Sequence, residues 1–143
     1  MGVLRVVLDT NLLVSYLLTQ GNTISRIIDS WDRGEIEVLV SPAIVEELVE
    51  VVQRPRLRKQ MTADPQVLID LIVSEAIHTS GDLTLSGASR DPKDDKFLAC
   101  ALEGAAGYIV TGDQDLLSLE SFQGVSIVRP ADFVELIEAS KDI

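Results

Sequence analysis

The sequence has little of the residues that most often build disulfides, thiolate metal sites or histidine-based catalytic sites. Its 143 residues include one cysteine, Cys100, and one histidine, His78. A single cysteine excludes an intrachain disulfide and a cluster of thiolate metal ligands, and any histidine general base would have to be His78. Long apolar runs are also lacking, since none approaches the ~18 residues that cross a bilayer. We therefore expect a soluble protein with no membrane-spanning segment.

Positive charge is scarce as well. The chain has 12 Lys and Arg against 23 Asp and Glu, and its formal net charge is -11. Because proteins hold nucleic acid mainly through Lys and Arg contacts to phosphate, bulk attraction to nucleic acid is excluded and any such contact must be local. The basic residues that cluster are Arg54, Arg56, Arg58 and Lys59 in one group, and Arg90, Lys93 and Lys96 in another.

The length of the chain fits one compact domain over residues 1–143. A domain of this size buries roughly 70% of the surface of its unfolded chain, which is enough for a core without disulfides. The sequence contains no internal repeat, low-complexity segment or linker. Its first residues, MGVLRVVLDT, lack the long apolar segment of a signal peptide, so we expect a cytoplasmic protein.

Short Val, Ile and Leu runs alternate with longer segments of helical periodicity. This alternation predicts an α/β fold around a mostly parallel sheet, and the continuous apolar runs predict strands buried on both faces. The predicted strands are residues 4–8, 37–40, 76–78, 108–110 and 126–128. The predicted helices are residues 11–18, 23–33, 56–60, 66–75, 92–103 and 131–139, together with one that begins at Pro42.

The helix that begins at Pro42 has the strongest local signal. Ser41 is a favourable N-cap residue and proline is favourable at the first helical position. An apolar stripe then runs from Val45 to Val52.

Acidic residues directly follow two of the predicted strands. Asp9 ends the run VVLD, and Asp113 follows the strand at 108–110 in YIVTGDQDLL, with Asp115 two residues further on. In an open parallel α/β sheet, ligands bind beyond the carboxyl ends of the strands. These acids are therefore the first candidates for a functional site.

Two predicted helices supply further acids. The helix at Pro42 carries Glu46, Glu47 and Glu50, and at roughly 100° per residue Glu47 lies at the edge of the apolar stripe, where it can reach inward. The segment RDPKDDKFLACAL opens the helix at 92–103 with Asp91, Asp94 and Asp95. Asp95 shares a helix edge with apolar residues, although acids at a helix N-terminus also serve as simple caps.

Convergence of Asp9, Glu47, Asp95 and Asp113 would create an electrostatic problem. Two carboxylates ~4 Å apart repel by about 4 kcal/mol at an effective dielectric constant near 20, so such a cluster takes up protons or binds a cation. Oxygen ligands alone favour a hard ion, Mg²⁺ or Mn²⁺. Such a site suits metal-assisted attack of water on a phosphodiester.

Four motifs follow one another along the chain: VLDTN, SPAIVEEL, RDPKDDKFLACAL and IVTGDQDLL. In this order and spacing they resemble the PIN-domain family, in particular its branch of VapC-like toxins from toxin–antitoxin pairs. The match extends from residue 3 to about residue 130. The resemblance implies a three-layer α/β/α sandwich and a Mg²⁺- or Mn²⁺-dependent ribonuclease.

The resemblance also implies a set of site residues and partners. The implied catalytic and metal-binding acids are Asp9, Glu47, Asp95 and Asp113, and the implied supporting residues are Asn11, Ser41, Thr111 and Asp115. Glu46 and Asp94 remain alternatives to Glu47 and Asp95. RNA is the implied substrate, with Arg54, Arg56, Arg58, Lys59 and Arg90 as candidate contacts. An antitoxin protein and assembly into a homodimer or larger homo-oligomer are further expectations.

Two other functions remain as alternatives. A haloacid-dehalogenase-type, Mg²⁺-dependent phosphatase also places an aspartate after its first strand, but it needs a second aspartate two residues later as general acid, where this chain has Asn11. A PIN-like module could instead bind RNA or protein without cutting. A complete acidic quartet argues against this, because an idle cluster would carry its repulsion without benefit.

Overall fold

A six-stranded sheet forms the centre of the protein, whose computed structural model describes residues 3–141. The strands are β1 (Leu4–Leu8), β2 (Ile36–Val40), β3 (Ile77–His78), β4 (Tyr108–Val110), β5 (Ser121–Phe122) and β6 (Val125–Val128). Their order across the sheet is β3-β2-β1-β4-β6-β5. All neighbouring pairs are parallel except β5 and β6, which are antiparallel. The predicted α/β fold with a mostly parallel sheet is therefore confirmed.

Helices flank this sheet. They are α1 (Thr10–Thr19), α2 (Asn22–Asp32), α3 (Pro42–Val52), α4 (Pro55–Arg58), α5 (Pro65–Glu75), α6 (Asp95–Glu103), α7 (Gln114–Leu117) and α8 (Pro130–Lys141). The helix α3 begins as its sequence predicts, since the Ser41 hydroxyl accepts a hydrogen bond from the Ile44 N–H at 3.4 Å. The part of the chain that the structure describes contains no helix long and apolar enough to cross a membrane.

The central strands are buried on both faces. Val6 and Val7 are consecutive residues of β1, and neither exposes any of its surface. Because successive side chains of a strand point to opposite faces of the sheet, both faces must be covered. The strands are therefore buried on both faces, as the continuous apolar runs predicted.

Two predictions of secondary structure need correction. The helix predicted over 92–103 is divided, because a short 3₁₀ turn (Pro92–Asp94) precedes α6. The strand β5 was not predicted, since two residues are too short to show a periodicity. A tight hairpin pairs it with β6, and Gln123 and Gly124 both adopt the positive φ that such two-residue turns require.

The segment between β3 and the 3₁₀ turn is held by a carboxylate of α6. Glu103 accepts hydrogen bonds from the N–H groups of Gly81 at 2.8 Å and Leu83 at 3.0 Å. These bonds stabilise the charged form and lower the pKa of Glu103 to about 2. The carboxylate thereby fixes the path of the chain that leads to the acids of the 3₁₀ turn.

Candidate metal centre

The first acid of the candidate site is fixed where β1 ends. Asp9 is only 2% exposed. Its backbone N–H donates to the Val110 carbonyl at 3.0 Å, which continues the pairing of β1 with β4. Its carboxylate accepts from the Thr111 hydroxyl at 2.7 Å and from the Asn11 N–H at 3.1 Å. The carboxylate is therefore held in one orientation at the carboxyl edge of the sheet.

Thr111 connects this acid to the acid that follows β4. The same Thr111 hydroxyl that donates to Asp9 accepts a hydrogen bond from the Asp113 N–H at 2.9 Å. Asp113 then caps α7, because its carboxylate accepts from the Asp115 N–H at 2.9 Å. Thr111 therefore joins Asp9 and Asp113 across the adjacent ends of two parallel strands.

The structure separates the neighbouring acids Asp94 and Asp95. Asp94 lines the same cleft as Asp9 and Asp113, and it is only 6% exposed. The Asp95 carboxylate instead accepts a hydrogen bond from the buried Ser89 N–H at 2.7 Å, and Asp95 does not line the cleft. Asp94 is the last residue of the 3₁₀ turn and Asp95 is the first residue of α6, so the two acids belong to different elements.

Burial and mutual repulsion raise the pKa values of two acids in the cleft. Burial raises the pKa of Asp94 to about 7, with further contributions from hydrogen bonding to Asp113 and from repulsion by Asp113, Asp9 and Asp91. Burial also raises the pKa of Asp9, although its bonds to Thr111 and Asn11 oppose the shift. Without a cation, burial and repulsion therefore favour the uptake of a proton by the cluster.

Helix α3 contributes Glu47 from the opposite side. Its carboxylate lies 2.7 Å from the Lys96 ammonium, and its negative charge is close enough to raise the pKa of Asp9. Glu46 lines the same cleft but is exposed. Glu47 is therefore the better placed of the two candidate glutamates.

A group of three aspartates lies beside these acids. Each aspartate offers one carboxylate oxygen, and the three oxygens all lie within 4.8 Å of one another; the residues are Asp91, Asp94 and Asp115. Asp94 belongs both to this group and to the group formed with Asp9 and Asp113. The cleft has a volume of about 610 Å³. Oxygen ligands in such an arrangement are consistent with a site for a hard divalent cation.

The remaining candidates occupy different positions. Ser41 caps α3 and lines a smaller neighbouring cavity. Asn11 lines the cleft, and Arg54 does so while its guanidinium is bound to Glu50 at 2.9 Å. The other candidate RNA contacts, Arg56, Arg58, Lys59 and Arg90, are exposed on the surface.

Sequence reasoning left Asp91 and Lys96, which both line the cleft, out of the predicted site. Lys96 was noted as a basic residue, but its pairing with Glu47 joins two helices that are far apart in the chain. No local spacing reports such a contact.

This mostly parallel α/β sheet carries at its carboxyl edge a cluster of acids that is consistent with a metal site. The family model for the PIN domain matches residues 5–115, and the chain belongs to this family. The uncharacterized protein MJ1680 of Methanocaldococcus jannaschii is 28% identical to this chain over an alignment of 144 positions. The alignment covers 94% of this chain and 92% of that protein.

A solved structure shares the fold. It is VapBC2 from Rickettsia felis bound to a DNA fragment from its promoter, which this chain matches with a TM-score of 0.60 and 12% identity. The match covers 88% of this chain and 98% of that chain. At this level of identity the similarity shows a common fold.

Proposed function

We propose that this protein is a divalent-metal-dependent ribonuclease that hydrolyses phosphodiester bonds. The observation that carries the proposal is the state of Asp94. Its Oδ2 atom is buried, has no hydrogen-bond partner within residues 3–141, and lies in a cleft with Asp9 and Asp113. A buried carboxylate oxygen without a partner is costly unless a cation or a proton satisfies it.

The residues of the cleft fit a hard cation. Besides Asp94, the buried Thr10 Oγ1 atom also lacks a hydrogen-bond partner among the described residues. The residues that would hold the ion are Asp9, Glu47, Asp94 and Asp113. Relative to the sequence prediction, Asp94 replaces Asp95. When bound, Mg²⁺ or Mn²⁺ supplies Lewis-acid activation of water and neutralises charge on the phosphate.

The chain itself supplies orientation. Thr111 and the Asn11 N–H hold both oxygens of Asp9, so this carboxylate loses little freedom on binding a cation. The same hydroxyl fixes the backbone of Asp113. Such prior fixation of ligands lowers the cost of assembling a reactive geometry.

The two alternative functions fit the cleft less well. A phosphatase of the haloacid-dehalogenase type needs a proton donor at Asn11, and an amide cannot give up and regain a proton in this way. A module that only binds RNA has no use for a group of carboxylates that repel one another, and this repulsion would lower its stability.

The proposal is tested by removing and restoring the metal. Protein purified without divalent ions should not cleave RNA in the presence of a chelator, and added Mg²⁺ or Mn²⁺ should restore cleavage. The activity should co-elute with the protein on a sizing column. Cleavage that persists in chelator would contradict the proposal.

We expect the exposed arginines of α4 to bring RNA to this acidic protein. Replacing Arg56 and Arg58 together by Gln should weaken RNA binding and reduce the slope of log affinity against log salt by about 1.4, since each of the two phosphate contacts contributes about 0.7 for a single strand. Binding can be measured in an Asp9→Asn background to prevent cleavage.

A matched control removes two positive charges elsewhere. Arg33 and Lys141 are exposed and lie near the amino end of β2, at the edge of the sheet opposite the acids. Replacing both by Gln should leave RNA affinity nearly unchanged. Equal losses in the two double variants would show that overall charge, rather than α4, determines binding.

A protein partner is a second part of the proposal. The likeness of this chain to VapBC2 supports an antitoxin as that partner, and co-purification with the product of the neighbouring open reading frame would test it. Cytoplasmic location and assembly into homo-oligomers stay predictions.

A further inference from the structure

Lys96 is a partly buried lysine of the acidic cleft. Lys96 belongs to the first turn of α6, and its side chain is only 18% exposed. Its ammonium is 2.7 Å from the Glu47 carboxylate, donates to the Lys93 carbonyl, and lies 4.8 Å from the centre of the Phe97 ring. These contacts hold the ammonium in a defined place between α3 and α6.

The other cations of the cleft are placed differently. Arg54 also lines the cleft, but its side chain is 56% exposed and is bound to Glu50 one helical turn away. Lys93 is exposed. Lys96 is thus the partly buried cation that neutralises a candidate metal ligand.

We propose that Lys96 is an exchangeable counter-ion of Glu47. It pairs with this carboxylate while the centre is free of metal, leaves it when Glu47 takes up a divalent cation, and then donates to a phosphate oxygen of RNA. The phosphate contact rests on the proposed ribonuclease function, whereas the exchange can be measured without RNA.

Electrostatics favour the exchange. A divalent cation bound by Glu47 would stand close to the ammonium, and the repulsion between like charges at this distance in a partly buried site would carry a cost in free energy. Lys96 can avoid this cost because its long side chain is flexible and borders a cleft of about 610 Å³.

The chemistry of the cleft also favours a phosphate as the new partner. The acids that line it, among them Asp9, Glu46 and Asp113, repel an approaching phosphodiester. An ammonium released at this point offsets that repulsion and offers three donors to the phosphate oxygens. Lys96 would then touch the substrate directly.

The exchange is tested by Mn²⁺ affinity without RNA, measured by electron paramagnetic resonance or calorimetry. Lys96→Met should bind Mn²⁺ about tenfold more tightly than the wild type, because the competing ammonium is gone. Lys141→Met, which removes a lysine from a comparable pair with Glu35 (2.9 Å), should leave the affinity unchanged. Unchanged or weaker binding by Lys96→Met would overturn the exchange, and weaker binding would show that Lys96 positions Glu47 for the metal. Thermal unfolding checks that each variant folds.

The phosphate contact is tested by single-turnover cleavage at Mn²⁺ concentrations that saturate each variant. Lys96→Met should cleave RNA about 10- to 100-fold more slowly, and Lys96→Arg should recover part of the rate because it keeps the charge. A wild-type rate in Lys96→Met would overturn the contact. If the wild type itself cleaves no RNA, the ribonuclease proposal and the phosphate contact fail, and the Mn²⁺ affinities still decide the exchange.

Discussion

Asp94→Asn will reduce metal-dependent RNA cleavage by about 100-fold or more, whereas Asp95→Asn will keep cleavage within about threefold of the wild type. The first substitution removes a negatively charged oxygen ligand from the cleft. A roughly 100-fold slower reaction corresponds to the loss of several kcal/mol of the stabilisation that the metal gives to the transition state. The second leaves the cleft intact, since Asp95 faces the Ser89 N–H. The two substitutions are chemically identical and lie at adjacent positions, so each is the control for the other.

The two variants should also differ in stability. Asp95→Asn keeps an acceptor for Ser89 but loses the charge that strengthens a 2.7 Å bond, so we expect a loss of about 1 kcal/mol. Single-turnover cleavage and urea unfolding of both variants would measure the pair of effects. If Asp95→Asn lost cleavage and Asp94→Asn retained it, our assignment of the third acid would be wrong.

Metal-free protein will become less stable as the pH rises from about 4 to about 7. Burial and the neighbouring acids raise the pKa of Asp94 to about 7, while an aspartate in an unfolded chain titrates near 3.9. Between these values the folded state holds a proton that the unfolded state has lost, so the free energy of unfolding falls as the pH rises through this range. Because water in the open cleft screens the repulsion, we expect the free energy of unfolding to fall by about 1–2 kcal/mol over this range.

Urea unfolding in chelator across this range would measure the effect. Asp94→Asn should show a flatter profile and, above about pH 7, should be more stable than the wild type, because Asn resembles the protonated acid. Added Mn²⁺ should restore the stability of the wild type at high pH, since a ligand of the folded state stabilises it. A wild-type profile as flat as that of Asp94→Asn would show that Asp94 does not hold the proton.

Most of the fold was predictable because it depends on local patterns. The five strands that apolar runs predicted are present within one residue at each end, and Ser41 and Pro42 begin α3 as predicted. The strand β5 and the helix α7 (Gln114–Leu117) were not predictable in this way. Both are too short for a periodicity, and contacts with β6 hold them in place.

The site was predictable where strands fix it and less so where turns do. Asp9 and Asp113 follow adjacent parallel strands, so their proximity through Thr111 could be expected from topology. Asp94 lies in the 3₁₀ turn and lines the cleft, whereas Asp95 is buried at the start of α6 and binds the Ser89 N–H. A helical wheel shows that Asp95 faces inward, but it does not show which partner a buried side chain meets.

Metal-dependent cleavage of RNA by Asp9 and its neighbouring acids is the activity we propose for this protein. Its most direct test is a cleavage assay of wild type and Asp9→Asn, purified in parallel without metal and assayed with Mg²⁺, Mn²⁺ and chelator. We predict that the wild type cleaves with either ion and not in chelator, and that Asp9→Asn is slower by about 100-fold or more. Equal cleavage by the two proteins would identify a contaminating nuclease and contradict the account.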